Sequence, residues 1–372
     1  MLMQRSSLIL LLAVALLFAV GLIMIFNTTS AEVLDRFLDK STHQALIKQL
    51  LYAAVGGVGA IGLWFIGYQN LIKMSGSLMI GATLLLILVF LPGIGQQING
   101  AHRWINLFGN SFQPSEFVKF LIPLFYIQVL TAASGKLDLK SFLQVLVKIA
   151  VPTALILIEP DNGTVAIIMA TLVVLFVITR LKWVYWALPL LILCLSGGVV
   201  ASQMKHVSDR LKVYMDPEYD LKGKGHQPHQ AKIAAGSGKL WGKGIGESLQ
   251  KLEYLPEARS DYIAAIFAEE CGFVGMVCLI FLYMLIGFCG FHIATCAKDI
   301  EGFYVASIFT FLICFQAFLN LGVVSGLLPS KGTNLPFFSH GGSSLLANMM
   351  AVCILLNIGW QSVQENKAAR SR

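Results

Sequence analysis

Residues 8–26 read LILLLAVALLFAVGLIMIF, a run with no polar side chain in it. Crossing a hydrocarbon layer about 30 Å thick takes roughly 20 mostly apolar helical residues. The run is long enough to span and too long for the apolar part of a typical signal peptide. Arg5 and the run after it therefore predict an uncleaved first helix. By the same reasoning residues 46–66, 71–91, 114–132, 142–158, 164–180, 183–203, 263–290, 302–324 and 342–361 predict further spans, about ten in all. Turn signals separate them, among them Pro92-Gly93, Ser134-Gly135, Glu159-Pro160-Asp161-Asn162-Gly163 and Lys298-Asp299.

Composition agrees. Of 372 residues, 56% are hydrophobic and 13% charged, about half the charged share of a soluble domain. So little charge would not cover a soluble surface, whereas a surface facing lipid needs none. The reading is an all-α integral membrane protein: a single polytopic domain over residues 1–372, with a large extracytoplasmic loop, 204–260, between the seventh and eighth helices of the bundle. The seven cysteines lie in or beside apolar runs without metal-ligand spacing and read as small core residues. The formal charge of +7 acquires meaning only by membrane side, and no nucleic-acid partner is inferred from it.

Short-loop Lys and Arg give the orientation. Arg5, Lys73, Lys136, Lys140, Arg180, Lys182, Lys298, Lys367, Arg370 and Arg372 fall on one side, against Arg36, Lys40, Arg103 and Lys331 on the other. Both termini are thus expected in the cytoplasm. The loops after the third, fifth, seventh and ninth spans then share the outer face, and they hold most of the unusual polar residues. A single site at that face is the expectation.

Each candidate residue also has a structural reading. Glu116, after Gln113-Pro114-Ser115, suits the first turn of a helix as well as a site. Lys119, three residues on, either shares that helix face in a polar interior or snorkels to the surface. Arg103 beside Trp104 is an interfacial anchor or a phosphate ligand. Glu159 and Asp161 sit in a turn that needs no function but could bind a cation or position a base. Asp261 is a helix cap or a general base. Glu269 and Glu270 lie deep in an apolar run, so at least one is expected to face the protein interior. The Pro-, Gly- and apolar-rich segment 326–344, which holds Lys331, could re-enter the membrane where protein shields its backbone. Within it Gly341-Gly342-Ser343-Ser344 offers backbone N–H groups to an anion. The Gly-rich stretch 236–246 has neither P-loop nor dinucleotide-binding spacing.

Taken together these stretches resemble the SEDS family, the FtsW and RodA proteins of bacterial wall synthesis. Asn99–Ile105, Gln113–Glu116, Pro160-Asp161, Gly242–Gly246, Gln250–Asp261, Glu269–Gly272 and Asn320–Leu346 occur in family order over nearly the whole chain. Asn99-Gly100, Tyr254–Ala258 and Pro329–Gly332 are closer to the FtsW branch. The chain departs from the family pattern at Glu159, usually Gln; at Asn162, usually Leu; at Arg259-Ser260, usually His-Thr; and at His340, commonly Tyr.

The resemblance implies a ten-helix peptidoglycan glycosyltransferase that polymerises lipid II at the outer face of the bacterial cytoplasmic membrane, for cell division. It implies Asp261 as the catalytic carboxylate. The implied partners are a class B penicillin-binding protein, other division or elongation proteins, and membrane lipid. In that chemistry Asp261 takes a proton from the attacking sugar hydroxyl, and Arg103, Lys119, Lys331 or a divalent cation (Mg or Mn) stabilises the leaving diphosphate. Glu116, Asp161 and Ser343 complete the expected substrate-binding set. A lipid II flippase and a non-enzymatic division scaffold are the competing readings. Lys119, Glu269 and Glu270 would suit a transporter, but polar motifs gathered at one face fit a midplane alternating-access site poorly.

Overall fold

The computed structural model describes residues 2–36, 42–98, 101–107, 109–191, 209, 212–216, 220, 221, 223, 225–251, 259–330 and 332–370. Helix α1 is Leu2–Arg36 and α2 is Gln44–Leu88. As one straight helix the 45 residues of α2 would reach about 67 Å, more than twice the hydrocarbon thickness. Instead α2 breaks at Gly67, where φ is 74° and ψ 157°, a conformation open in practice only to glycine.

The two limbs of α2 run in opposite directions. At the start of the first, Gln49 Nε2 donates to Ser339 O (3.2 Å), and near its end Asn357 Nδ2 donates to Trp64 O (3.1 Å). The second limb begins against the far end of α3 (Ser115–Ala132), where Ser75 Oγ and Gly76 N donate to Gln128 Oε1 at 3.0 and 3.1 Å. The spans expected at 46–66 and 71–91 are these two limbs.

Three short strands join α2 to α3: β1 (Gly95–Ile98), β2 (Ala101–Leu107) and β3 (Asn110–Phe112). They form an antiparallel sheet in that order, pairing Gln96 with Trp104 and Ile105 with Phe112. This sheet departs from the all-helical expectation. A loop that leaves the lipid can satisfy its backbone with a strand ladder, and the two-residue alternation puts Arg103 on the same face as the buried Ile105.

Helices α4 (Leu139–Ile158) and α5 (Asn162–Ile178) follow. Residues 183–191 are helical, and the span expected over 183–203 continues into residues outside the described set. The long loop carries α6 (His226–Ser237), and then come α7 (Ile263–Thr295), α8 (Ile300–Val324) and α9 (Gly342–Arg370). Among the described residues seven helices are long and apolar enough to cross a membrane, and Gly67 divides α2 into two limbs of about that length. Helix α5 is apolar but shorter, at 17 residues. A second break, at Gly272 (φ 66°, ψ −165°), divides α7. The expected span 263–290 is therefore two pieces. Residues 263–270 are buried on every side, whereas the limb after Gly272 exposes Phe273, Val277, Phe281, Met284 and Phe288 along one stripe.

Burial sorts the helices into two shells. The apolar windows of α3, α8 and α9 are 61, 72 and 78% buried, against 33% for α1 and α2 and 28% for α4 and α7. The inner three carry Lys119, Gln316, Asn320, Asn348 and Asn357 among the buried polar residues, and the outer α2 and α7 turn Gln49, Ser75, Glu269 and Glu270 inward.

A Cβ at Gly67 would meet no atom closer than 3.5 Å, so the cost of Gly67→Ala lies in the backbone alone. It is expected to lower stability by about 1–3 kcal/mol, read as a lower melting temperature in detergent. Gly57→Ala, within the helical limb and with open space at the Cβ, is expected to leave the melting temperature unchanged or to raise it.

Candidate active site

The loops after α2, α4, the long loop and α8 meet at one end of the bundle around a cavity of 640 Å³. Arg103, Glu116, Lys119, Asp161, Asp261 and Ser343 all line it. Lys331 lies outside the described residues, but its neighbours Ser330 and Gly332 are in the wall. Tyr254–Ala258 and Asn99-Gly100, which carry part of the expected motif set, also lie outside the described residues.

Lys119 is 1% exposed and does not snorkel. Its ammonium donates to Glu116 Oε2 (2.7 Å), three residues back on the same helix face, and to Gln316 Oε1 on α8 (2.6 Å). Glu116 thus serves the first turn of α3 and the lysine together.

Arg103 grips the turn between α4 and α5. Its Nε donates to Glu159 O (3.0 Å), its Nη2 to Pro160 O (2.6 Å), and its Nη1 stands 3.8 Å from Asp161 Oδ1. Asp161 in turn caps α5. Its carboxylate accepts from Thr164 N (3.1 Å), Thr164 Oγ1 (2.8 Å) and Gln113 Nε2 (3.2 Å). With both oxygens engaged, this carboxylate braces β2, the entry of α3 and α5 at the cavity wall. Ser343 Oγ accepts from Gln113 N (2.8 Å), fastening the start of α9 to the entry of α3.

Asp261 stands just before Tyr262, the residue in the N-cap position of α7. Its backbone carbonyl accepts from Asn320 Nδ2 (2.8 Å). Its carboxylate lies against Gly332, where an added Cβ would fall 3.0 Å from Asp261 Oδ2. Tyr262 Oη pairs with Ser330 Oγ at 2.9 Å.

Glu269 and Glu270 are buried, and their role is to hold the long loop. Glu269 accepts from Lys243 Nζ (2.6 Å), Ser248 Oγ (2.5 Å) and Ser237 Oγ (3.2 Å). Glu270 accepts from Lys251 Nζ (2.9 Å) and Asn27 Nδ2 (2.6 Å).

In the sequence motifs Gln113 and Asn320 stand out only as members of longer stretches, and Gln316 not at all. A signal for Gln316 and Asn320 is present all the same: two amides one turn apart in an otherwise apolar span.

The family model of the FtsW, RodA and SpoVE cell cycle proteins matches residues 7–364. The chain belongs to this family. A probable peptidoglycan glycosyltransferase FtsW from Trichlorobacter lovleyi is 37% identical over 364 residues, covering 96% of this chain and 93% of that protein. Stage V sporulation protein E of Bacillus subtilis is 35% identical over 356 residues, covering 95% of this chain and 96% of that protein. Among solved structures, a chain of a peptidoglycan synthase complex that coordinates polymerization and crosslinking superposes with a TM-score of 0.76 at 26% identity, covering 95% of this chain and 98% of that one. The Thermus thermophilus rod shape determining protein RodA shares the fold, with a TM-score of 0.66 at 23% identity, covering 95% of this chain and 96% of that one.

Glu159 marks how this member differs from the family pattern. Its carboxyl is fully buried, and neither oxygen has a hydrogen-bond donor among the described residues. Burial, reinforced by the Asp161 charge and only partly opposed by Arg103, pushes its pKa up to about 8. A protonated Glu is neutral and close in shape to the Gln usual here. Because the folded-state pKa is raised, the contribution to stability is fully present at pH below about 4.5 and is lost as pH rises toward about 8. Glu159→Gln is therefore expected to melt higher than the native protein at pH 8.5 and close to it at pH 4.5. Parallel pH–melting curves for the two proteins would contradict this.

Proposed function

We propose that Asp261 is the general base of the glycosyl transfer carried out in this cavity. The chain is a peptidoglycan glycosyltransferase of the FtsW kind, joining lipid II units into glycan strands. The acceptor sugar hydroxyl gives its proton to the Asp261 carboxylate as its oxygen bonds to the anomeric carbon of the donor. The bond from that carbon to the diphosphate oxygen breaks, and the electron pair leaves with the lipid-linked diphosphate. Direct displacement of this kind inverts the anomeric centre and needs one base.

The observation that carries this reading is that Asp261 and the buried Lys119 open onto the same cavity. Lys119, already oriented by Glu116 and Gln316, faces the leaving diphosphate, with Arg103 and Lys331 as further cations. The N-terminal turns of α3, α5 and α9 reach the cavity through Glu116, Asn162 and Gly342, adding the positive ends of three helix dipoles. Among the described residues no three His, Cys, Asp or Glu side chains gather as a metal-ligand set. The leaving-group charge is assigned to these cations, and a divalent ion (Mg or Mn) carried by the diphosphate would add to them.

A class B penicillin-binding protein is the partner this reading calls for, supported by the likeness to a synthase complex. The termini are placed in the cytoplasm, with residues 204–260 outside, on the distribution of short-loop Lys and Arg.

Asp261→Asn keeps the shape and removes the titrating carboxylate. It is expected to fold, bind lipid II and polymerise about 100- to 10,000-fold more slowly; a rate within about threefold of native, far above that range, would remove Asp261 from the role. For orientation, single cysteines at positions 225 and 366 in a background without competing thiols are exposed to an impermeant thiol reagent on intact spheroplasts. Labelling at 225 and none at 366 is expected; the reverse would invert the topology.

A further inference from the structure

Two amides on α8, Gln316 and Asn320, sit four residues apart and so one above the other on a single helix face, about 6 Å apart along the axis. Both are buried, at 2% and 1% exposure. Gln316 Nε2 is tied to Leu312 O (3.0 Å), which fixes the amide so that Oε1 faces Lys119 Nζ at 2.6 Å. Asn320 Nδ2 donates to two carbonyls at once, Asp261 O (2.8 Å) and Thr333 O (2.7 Å). Those carbonyls belong to the two segments that meet at the carboxylate of Asp261, since Gly332 packs against it.

Asn320 Oδ1 is buried and has no donor among the described residues. An orphaned buried acceptor is destabilising. The contacts this amide makes to the site are those of its N–H groups.

We propose that Gln316 and Asn320 are positioning residues that set the separation between the Lys119 ammonium and the Asp261 carboxylate, with one turn of α8 as the spacer. This rests on the reading of Asp261 as the base. The two amides touch neither reacting atom; each holds a group that does. Helix α8 is the element of the fold best suited to this, because a helix between two fixed points is stiff where a loop is not. A base displaced by about 1 Å costs on the order of 100-fold in rate, which is the scale of effect that Asn320 controls.

The test is a double-mutant cycle on the full-length protein reconstituted in lipid, alone and with its transpeptidase partner, with lipid II as substrate. Asn320→Leu keeps the volume and removes both donors. It is expected to lower kcat by about 10- to 100-fold, with KM for lipid II changed by less than about threefold, and to lower the melting temperature as well, because the two carbonyls lose their donor. In an Asp261→Asn background the same change is expected to cost little more, because the group it positions is already gone. An equal loss in both backgrounds, or a native kcat for Asn320→Leu, would overturn the proposal.

Should Asn320→Leu fail to fold, Asn320→Ser supplies the comparison: its single hydroxyl cannot reach both carbonyls, and a native kcat there overturns the proposal equally. Gln316→Leu tests the other half. It is expected to reduce turnover in the native background and to have little effect in a Lys119→Met background; a native turnover, or an equal loss in both backgrounds, overturns that half. A native rate for Asp261→Asn in the same assay would refute the base assignment itself, a result distinct from any of these.

Discussion

An ammonium group inside a membrane bundle is the constraint around which the rest is arranged. Lys119 is 1% exposed, in the middle of the most heavily buried helices. An isolated charge there would be costly to bury. It is retained because Glu116 and Gln316 both reach it at 2.6–2.7 Å. That requirement brings α3 against α8 at one height and in one rotation. A lysine ammonium has three donors, and the two contacts use two of them. The ammonium also stands over the Phe120 ring, 5.8 Å from its centroid, and lines the cavity, so the polar interior opens there.

The backbone imposes a second constraint. Between α8 and α9 the chain runs through Leu335, Phe337, Phe338 and Ser339, all buried and none helical. Tyr283, whose hydroxyl donates to Pro336 O (2.6 Å), lies well past Gly272 along α7, about 15 Å down the helix axis. Irregular backbone at such depth is tolerated only where protein satisfies it. Ser339 Oγ accepts from Leu335 N (2.9 Å), and Gln49 brackets the segment, donating to Ser339 O and accepting from Gly341 N. Gly21 of α1 gives the room, since a Cβ there would fall 2.8 Å from the Phe338 backbone. The loop that walls the site is thus part of the core.

How much of this is legible in the sequence differs by kind of residue. Spans are legible, because apolar length is a direct consequence of bilayer thickness. Arg103, Glu116, Lys119, Asp161, Asp261 and Ser343 are legible as candidates, because polar residues beside apolar spans are few, and alternation of spans sends them to one face. Their roles are not. Asp161 is a cap and brace, a role fixed by Thr164, Gln113 and Arg103, and the last two come from separate stretches of chain. The sheet that carries Arg103 is hidden because four- and three-residue strands leave too short a period to read. The breaks at Gly67 and Gly272 are hidden because glycine is common in these helices and only the backbone angle separates a hinge from a packing contact. Gln316 and Asn320 are visible as anomalies in an apolar span, but what they hold depends on contacts between elements.

The two breaks in α7 and α2 differ in what they achieve. Gly67 reverses the chain, whereas Gly272 divides one helix into parts facing different surroundings. The limb after Gly272 exposes an apolar stripe; the segment before it, Ile263–Glu270, is buried throughout. That buried strut is fastened at both ends. At one, Asn320 holds the carbonyl of Asp261; at the other, Glu269 and Glu270 are bound to Lys243, Ser248, Lys251 and Asn27. Eight residues of helix between two anchored ends cannot swing, bend or slide without breaking one set of contacts. Asp261 therefore takes its place from the bundle interior, and the long loop is tied to the same strut. In the proposed role of Asp261, a base that meets a lipid-borne sugar, itself free to diffuse and rotate in the membrane plane, gains most from such fixity, because the reorganisation it would otherwise need at the moment of reaction is already complete.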